Sequence, residues 1–410
     1  MHHENAAAED RPGNNTSLVK IGQIGKFFKG KGISRSDLSE DGLPCLRYGE
    51  IYSTYGDTTD CLRSRISSEA ASSAQILKTG DIVFAASGET LHEIGKAVAY
   101  IGPEPAYVGG DTVVLREHHQ DPVFLAHALN SEHACRQKAR LGKGHSVVHI
   151  HAPDLSEVEI LLPSLPEQRK ISEILRKWDE ALQKLSALRA AKDKRLGALR
   201  YAMLFGELRL DDTRRNWAPT RLAAVTHELT ERNGANGLGR DFVMGVTKAH
   251  GVVPMREQTI ASDISRYKRL PPRAFAYNPM RINVGSIAMN ERDEEVLLVS
   301  PDYVVFACNA NGLDPDYLDH LRKTSWWAHY INSGGSGSVR QRTYYDDLAA
   351  LKLPLPELDE QKAIAAVLNT ARDDLAATER EIEAVTLQKR GLMQKLLTGE
   401  WRVNSEKVLA

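Results

Sequence analysis

The sequence predicts a mixed α/β (α+β) protein in which two globular domains are joined by two long antiparallel α-helices. We expect these helices to form a coiled coil within one chain and to relate the two halves by a pseudo-twofold axis. Three observations predict this fold. The two halves of the chain are repeats of each other, each half ends in a long helical pattern, and short apolar runs typical of strands fill the rest.

The repeat has a constant offset of 193 positions. It aligns Leu162 with Leu355 and runs without a gap for more than sixty residues, ending at the similar segments LFGELR and LTGEWR. A period of this length excludes a solenoid of short repeats. The sequence therefore predicts two large units, each made of a divergent domain followed by the same connector.

Each connector carries apolar residues spaced three and four apart, which is the pattern of a coiled-coil seam. Proline precedes each pattern, and Gly206 and Gly399 fit helix ends. One amphipathic helix cannot bury its stripe alone, so we expect the two to pair within the chain; the alternative is pairing between chains of a dimer. The predicted seam residues are Ile171, Leu175, Trp178, Leu182, Leu185, Leu196, Leu199, Met203, Ile364, Leu368, Leu375, Ile382, Val385, Leu392 and Leu396, and the residues that interrupt the seam are Arg189, Lys192, Thr378 and Lys389.

These patterns predict five segments along the chain. They are a disordered tail (1–15), a first domain (16–158), a first helical connector (159–210), a second domain (211–351) and a second connector (352–410). Inside the domains, runs such as GDIVFAAS and YVVFACN predict strands. The segments DPVFLAHALNSEHACRQKA and DPDYLDHLRKTSWWAHYI each predict a helix, with Asp as the N-cap and Pro at the first helical position.

Composition limits the class of protein. A chain of 410 residues with 42% hydrophobic and 26% charged residues is ordinary for a globular protein. No apolar run approaches the roughly 20 residues that span a bilayer, and the polar N-terminus does not resemble a secretory signal. The four cysteines share no short spacing, which argues against a zinc site or a disulfide framework and fits a cytoplasmic location. With a net charge of −1, any binding to nucleic acid must depend on local basic patches.

Basic residues are concentrated in segments 18–36 and 264–283, neither of which contains an acid. The glycine-containing loops LGKGHSVVHIH and GGSGSVRQRTYY before the two connectors also lack acids. Glycine lets backbone N–H groups approach phosphates, and Arg or Gln can read base edges. Charge runs are usually solvated faces, but their similar placement in both halves favours DNA contact. The predicted DNA-contacting residues are Lys29, Lys31, Arg35, Arg47, Lys143, His145, Arg240, Arg281, Asn283, Arg340 and Arg342.

Three motifs suggest catalysis or metal binding but are incomplete. GKFFKGKG, from Gly25, lacks the Ser or Thr that a P-loop needs after its Lys, so we do not expect an NTPase. YNPM, from Tyr277, lacks the second proline and the aromatic residue of an amino-methyltransferase motif. His149 and His151 would share one face of a strand, but no carboxylate or cysteine cluster accompanies them, so we expect no metal. No nucleophile and base occur at a recognisable spacing, so we expect no catalytic residue.

The whole arrangement resembles the specificity (S) subunit of type I restriction–modification systems, the HsdS family. The most specific residues are the two LP…EQ…I…L helix entrances, at Leu162–Leu175 and Leu355–Leu368, and the Gly-Glu exits at Gly206 and Gly399. GKGISRSDLSEDGLPCLRYGEI and NPMRINVGS resemble parts of the family's target-recognition domains. One departure is Asp359, which stands where Pro166 stands in the first copy.

The resemblance implies that each domain reads one half of an asymmetric, bipartite site in double-stranded DNA. It implies that the helices set the spacer between the half-sites and dock two methyltransferase (M) subunits, which carry S-adenosylmethionine. It leaves open whether a motor–nuclease (R) subunit joins. The chain itself would be a non-catalytic, cytoplasmic subunit that holds no cofactor and does not contact a membrane.

Three alternatives remain at this point. A coiled-coil scaffold or interaction protein would share the helices but would need no basic loops. A free-standing enzyme acting on nucleotides would turn over substrate as purified chain. A methylation-only system would keep the specificity subunit and lack cleavage. The sequence does not reveal the target bases, the spacer length or the oligomeric state of the isolated chain.

Overall fold

The computed structural model describes residues 17–144, 146–210, 217–235, 237–333 and 342–403. The predicted tail (1–15) and two predicted DNA contacts, His145 and Arg340, lie outside these residues. The chain divides into two compact units. Unit 1 contains Met1–Lys184 and Ile382–Ala410, and unit 2 contains Leu185–Glu381. Each unit therefore combines one divergent domain with parts of both connectors.

Unit 1 is built from two main sheets covered by short helices. One sheet has the strand order β2–β11–β7–β9–β4 and the other has the order β5–β3–β10–β6, while β1 pairs with β13 and β8 with β12. The strands are β1 (Ser17–Lys20), β2 (Lys26–Lys29), β3 (Leu38–Leu46), β4 (Thr58–Thr59), β5 (Ser64–Ile66), β6 (Gln75–Leu77), β7 (Ile82–Ala85), β8 (Ser87–Gly88), β9 (Ala97–Tyr100), β10 (Ala106–Val108), β11 (Thr112–Arg116), β12 (Val148–His149) and β13 (Glu159–Leu162). The helices are α1 (Tyr48–Ser53), α2 (Ser68–Ser73), α3 (Pro122–Leu129), α4 (Glu132–Leu141), α5 (Ala152–Ser156) and α6 (Leu165–Leu204), the last of which continues into unit 2.

Unit 2 repeats this plan. Its sheets have the orders β15–β22–β19–β20 and β17–β16–β21–β18, and β14 pairs with β23. The strands are β14 (Ala218–Arg221), β15 (Thr226–Glu228), β16 (Val243–Thr247), β17 (Gly251–Pro254), β18 (Lys268–Leu270), β19 (Phe275–Tyr277), β20 (Ile287–Met289), β21 (Leu297–Val299), β22 (Val304–Cys308) and β23 (Lys352–Leu355). The helices are α7 (Leu222–Val225), α8 (Pro315–Leu321), α9 (Ser325–Ser333), α10 (Tyr345–Ala349) and α11 (Leu358–Leu397), the last of which ends in unit 1.

The two domain helices predicted as continuous are each broken into a pair. The predicted caps are present, because Asp121 accepts a hydrogen bond from the Phe124 N–H and Asp314 accepts one from the Tyr317 N–H. In unit 1 the chain turns after Asn130, and the Ser131 side chain caps α4 by accepting from the Ala134 N–H. Serine favours an N-cap over a helix interior, which explains the break.

The long helices have the predicted ends. α6 (Leu165–Leu204) and α11 (Leu358–Leu397) are 40 residues each and are related by the repeat offset at both ends. At about 1.5 Å per residue, each is about 60 Å long. Gly206 and Gly399 follow them with φ of +77° and +72°, a left-handed conformation that glycine adopts without a steric penalty. Within the described part of the chain, no helix combines the length and apolarity needed to cross a membrane.

Each unit contains an antiparallel pair of helix segments inside its core. In unit 1, Ile171 and Leu175 from the start of α6 share a buried cluster with Leu396 and Leu397 from the end of α11. In unit 2, the end of α6 and the start of α11 share the equivalent cluster, which includes Leu204 and Ile364. Intrachain antiparallel pairing, as predicted, is therefore confirmed within each unit.

None of the predicted seam residues, all of which the structure describes, is exposed. The fully buried seam residues lie toward the ends of each helix, and those in the middle are half-buried. Buried seam residues are Ile171, Leu175, Leu196, Met203, Ile364, Leu368 and Leu396, and half-buried ones are Trp178, Leu182, Leu185, Leu199, Leu375, Ile382, Val385 and Leu392.

Candidate nucleic-acid interface

The glutamine of each LP…EQ entrance ties a long helix to its domain. Gln168 is fully buried, and its Nε2 donates to the Pro163 carbonyl at 2.8 Å. Its Oε1 accepts from the backbone N–H of Asp121, the N-cap of α3, at 3.0 Å. The equivalent contacts of Gln361 are with Pro356 at 2.9 Å and with Asp314 at 2.8 Å. The repeated glutamine therefore fixes the angle at which the domain meets the helix.

The glutamate that precedes this glutamine accepts hydrogen bonds from the arginine of a helix exit. Glu360, buried in unit 2, accepts from Arg209 at 3.1 and 2.9 Å and from the Trp217 indole N–H at 3.1 Å. In unit 1, Glu167 accepts from Arg402 at 2.8 Å. The entrance and exit motifs are thus two halves of one contact, which explains why the chain carries both of them twice.

In unit 1, the loops that carry predicted DNA contacts converge on Ser87. The Ser87 carbonyl accepts from Tyr52 of α1 at 3.1 Å, and its hydroxyl lies 2.9 Å from Nδ1 of His149. The neighbouring Ala86 N–H donates to the Asp111 carbonyl at 2.8 Å. Strand β8 therefore joins α1, the loop before β11 and the described part of the glycine-containing loop in one surface, named here the unit 1 loop cluster (residues 29–35, 47–52, 86–96, 108–112, 141–144 and 146–151).

Lys29, Lys31 and Arg35 are exposed on this cluster. Their segment is held by backbone hydrogen bonds from Gly30 to the Thr112 carbonyl, at 3.0 Å, and from the Lys31 N–H to the carbonyl of Val108, at 3.4 Å. The segment GKFFKGKG thus forms β2 and then packs on a neighbouring loop through its backbone. The basic side chains remain available to a ligand.

Two other predicted contacts in unit 1 are partly engaged within the protein. The Arg47 guanidinium lies 3.6 Å from Glu50, and its Nε is buried without a hydrogen-bond partner among the described residues. Lys143 is 76% exposed and forms an ion pair with Asp154 at 3.1 Å. Lys143 is therefore the more accessible of the two cations.

A buried lysine supports the same cluster. Lys138 of α4 is completely buried, and its Nζ donates to the carbonyl of Gly95 at 2.6 Å. Burial lowers the pKa of Lys138 to about 8. Gly95 has a φ of +70°, so the loop that follows β8 depends on both residues for its path. Sequence reasoning did not identify Lys138, because nothing in its spacing distinguishes it from the exposed cations of α4.

The two histidines considered for a metal share an exposed face. The rings of His149 and His151 are parallel within 7°, with centroids 6.5 Å apart. In the part of the chain that the structure describes, no group of three or more His, Cys, Asp or Glu side chains is arranged to hold a metal ion. Both rings belong to the unit 1 loop cluster and extend its polar surface.

Unit 2 carries a groove of about 700 Å³. It lies between the β16–β17 hairpin loop (247–252), the segment 282–292 and the turn into α9 (322–328). Four cationic side chains, Lys248, Arg292, Arg322 and Lys323, line it together with Glu291. Three of them are ion-paired within the protein, Arg292 with Glu295, and both Arg322 and Lys323 with Asp319, so the positive charge of the groove is partly neutralised. Lys248 and His250 were not among the predicted DNA contacts. The signal that could have identified them is the adjacent Gly251, which indicates a hairpin turn and therefore an exposed loop.

The predicted contacts Arg281 and Asn283 lie at the rim of this groove. Both are exposed, and Asn283 lines the groove itself. Their turn ends at Gly285, which has a φ of +91°. The Thr343 N–H donates to the Pro279 carbonyl at 3.1 Å, which brings the exposed Arg342 beside the same turn. As in unit 1, the segment after a central strand is joined to the loop before the connector.

Arg240 lies elsewhere in unit 2. Its guanidinium pairs with Glu257 at 2.7 Å and donates to the Ala261 carbonyl at 2.7 Å. It precedes β16, whereas the groove begins at Thr247 at the other end of that strand. The structure therefore places Arg240 in a contact that holds the 257–261 segment and does not bring it together with Arg281.

Histidines at equivalent positions of the repeat are buried between each domain and a long helix. In unit 1, Nδ1 of His127 lies 2.9 Å from Asp57, and its Nε2 lies 3.8 Å from Asp179 of α6. Burial raises the pKa of Asp57, but its hydrogen bond to His127 and the charge of that ring outweigh this and lower the pKa to about 2. In unit 2, His320 bonds with Asn369 of α11 at 2.9 Å, and burial lowers its pKa to about 4.

Comparisons with known proteins agree with this geometry. The family described as type I restriction modification DNA specificity domain matches residues 14–190. The type I restriction enzyme MjaVIII specificity subunit of Methanocaldococcus jannaschii is 22% identical and covers 95% of this chain and 93% of its own length. The putative MjaX specificity subunit of the same organism is 27% identical over a shorter region, which spans 38% of this chain and 37% of that protein.

The fold is also that of a solved structure. The type I restriction–modification S subunit from M. genitalium superposes with a TM-score of 0.59 at 14% identity and covers 94% of this chain and 98% of its own. The family match over residues 14–190, the specificity subunits that align along more than 90% of the chain and the shared fold together support an HsdS family protein, the specificity subunit of type I restriction–modification systems.

Proposed function

We propose that each unit of this specificity subunit reads one half of an asymmetric, bipartite site in double-stranded DNA and that the paired helices set the spacer. One observation carries this proposal: in both units, the loop before the connector is hydrogen-bonded to the segment after a central strand, and both surfaces expose basic side chains. The loops differ in sequence between the units, so the two half-sites should differ. The chain determines which DNA sequence is recognised and does not itself catalyse a reaction.

Mapping methylated adenines in the host genome tests this proposal. We expect one bipartite, asymmetric motif with a constant gap, which disappears when the gene is deleted. Lys31→Glu should weaken recognition through unit 1, and Arg281→Glu should weaken recognition through unit 2. Arg390→Glu, on the exposed face of α11, is the matched charge reversal outside both loop surfaces and should leave the motif unchanged.

Both helix exits expose apolar side chains at equivalent positions of the repeat. Leu208 is 48% exposed and Trp401 is 51% exposed. Two equivalent surfaces suit two copies of one partner, and we propose that these partners are methyltransferase subunits that bind S-adenosylmethionine. Leu208→Glu and Trp401→Glu should each remove one copy from the complex, as measured by native mass spectrometry. Leu387→Glu, at an exposed position elsewhere on α11, should remove none.

The nearly neutral net charge of the chain also suggests that partner subunits contribute contacts to DNA. A net charge of −1 supplies little general attraction to phosphates. We therefore expect the isolated chain to bind DNA weakly and the complex with methyltransferase to bind tightly and sequence-specifically, in the cytoplasm. Equal affinity and specificity without the methyltransferase would contradict this part of the proposal. Cleavage would need a further motor–nuclease subunit.

A further inference from the structure

The residues that interrupt the helical seam form polar contacts between the two long helices. In unit 2, Nζ of Lys192 lies 2.7 Å from Asp374 and 2.8 Å from the Thr378 hydroxyl. Arg189 pairs with Glu379 at 2.9 Å. In every case one partner lies on α6 and the other on α11.

Unit 1 has the same kind of contact with the roles of the helices exchanged. Lys389 of α11 pairs with Asp179 of α6. The lysine side chain is only 14% exposed, so it lies mostly within the seam. A charge held in this way is costly to place opposite an apolar residue or a like charge.

The duplication creates competing ways for the helices to pair. Because α6 and α11 are copies offset by 193 positions, α6 could pair with α6 of a second chain in the same antiparallel register. Lys192 would then face Ala181 and Leu185, which replace Asp374 and Thr378 at the equivalent positions. The carboxylate and the hydroxyl would both be missing.

The other charges lose their partners in the same way. In an α6–α6 pair, Arg189 would face Ser186 in place of Glu379. In an α11–α11 pair, Lys389 would face Arg372 in place of Asp179, which opposes two cations. Each polar contact is therefore satisfied when α6 meets α11 and unsatisfied when either helix meets its own copy.

We infer that these polar contacts favour pairing of α6 with α11 of the same chain and disfavour pairing of either helix with its own copy in a second chain. Polar groups at seam positions determine partner and register in coiled coils, at some cost in stability. The duplicated halves would otherwise present nearly the same apolar stripe to any neighbouring chain. The polar residues that interrupt the seam thus suppress α6–α6 and α11–α11 pairing between two chains.

A single variant of the full chain, in which two carboxylates are moved from α11 to α6, tests this inference. It combines Asp374→Ala and Glu379→Ser, which remove the carboxylates from α11, with Ala181→Asp and Ser186→Glu, which add them at the equivalent positions of α6. We expect a several-fold rise in the two-chain fraction relative to wild type at equal concentration, measured by native mass spectrometry of mixed ¹⁴N and ¹⁵N chains. A two-chain fraction equal to that of wild type would overturn the inference.

A charge-reversal cycle provides the second measurement. Asp374→Lys should lower the urea midpoint of unit 2, and adding Lys192→Asp should recover more than half of the loss. Lys194→Asp, a reversal at an exposed position of α6, is the control and should recover nothing. Equal recovery by the control would show that general charge, and no specific pairing, is responsible. Neither experiment uses DNA or a methyltransferase, so both are independent of the proposed function.

Discussion

The anchor between helix entrance and helix exit makes the sharpest prediction, because the repeat supplies its own control. Glu360→Ala removes two hydrogen bonds accepted from Arg209 and one accepted from Trp217. The Arg209 side chain is only 17% exposed, so this is a mostly buried contact. Removing one partner of a buried ion pair costs about 3–5 kcal/mol, and we expect a loss of about 3 kcal/mol.

Glu167→Ala is the equivalent change in unit 1 and should cost less. Its partner Arg402 is 46% exposed, and solvent-exposed pairs contribute about 1 kcal/mol or less. For units of this size, about 2–4 °C of melting temperature corresponds to 1 kcal/mol. Glu360→Ala should therefore lower the melting temperature of unit 2 by roughly 6–12 °C, and Glu167→Ala should lower that of unit 1 by roughly 2–4 °C.

Hydrogen exchange read by mass spectrometry can assign each loss to its unit. Peptides covering 358–368 should lose protection in Glu360→Ala, and peptides covering 165–175 should lose less in Glu167→Ala. Lys362→Ala, at an exposed position on the same turn of α11, should change neither. If the two glutamate variants lose equal stability, burial does not determine the strength of the anchor and the reasoning is wrong.

Three further predictions concern the helix ends and a buried histidine. Gly206→Ala and Gly399→Ala should each cost about 1 kcal/mol because of their positive φ, whereas Gly197→Ala, in open space inside α6, should stabilise the chain by up to about 1 kcal/mol in urea unfolding. Asp121→Ala should cost about 1 kcal/mol through loss of the α3 cap, and Ser131→Ala should cost a similar amount at α4, both measured by urea unfolding. A variant as stable as the wild type would contradict the role of that cap. His320, with a pKa lowered by burial to about 4, binds a proton more readily when unfolded, so unit 2 should lose up to about 3 kcal/mol as the pH falls from about 6.5 to 4, and His320→Gln should abolish that dependence in pH-resolved urea titrations.

The long helices could be predicted almost completely from the sequence. The 3-4 apolar spacing and the glycines after each pattern are local signals, and the observed ends at Leu204 and Leu397 fall just before those glycines. The break between α3 and α4 was missed because Ser131 lies within a continuous apolar pattern. Its role as a cap becomes visible only once the chain turns there.

The candidate interface was only partly predictable. Loop position singled out Arg281 and Arg240 alike, yet Arg281 is exposed beside a groove and Arg240 is bonded to Glu257 and to the Ala261 carbonyl. Lys138 and Ser87 were missed because their importance comes from neighbours distant in the sequence. A side chain's charge is a local property, whereas its freedom to meet a ligand depends on the acceptors that the fold places around it.

The sequence by itself determined the duplication and the helix lengths, because repeats and periodic apolar residues are local properties that constrain the backbone. The choice between pairing within one chain and pairing between chains was decided by the tertiary structure. Only the tertiary structure decided what the repeated EQ and G-E motifs are for, which interruptions of the seam find partners, and which loops meet at Ser87 and beside Asn283. Those outcomes depend on contacts between segments distant in the sequence, from 35 positions for Tyr52 and Ser87 to 151 positions for Arg209 and Glu360, and no local pattern records the distance between two such atoms.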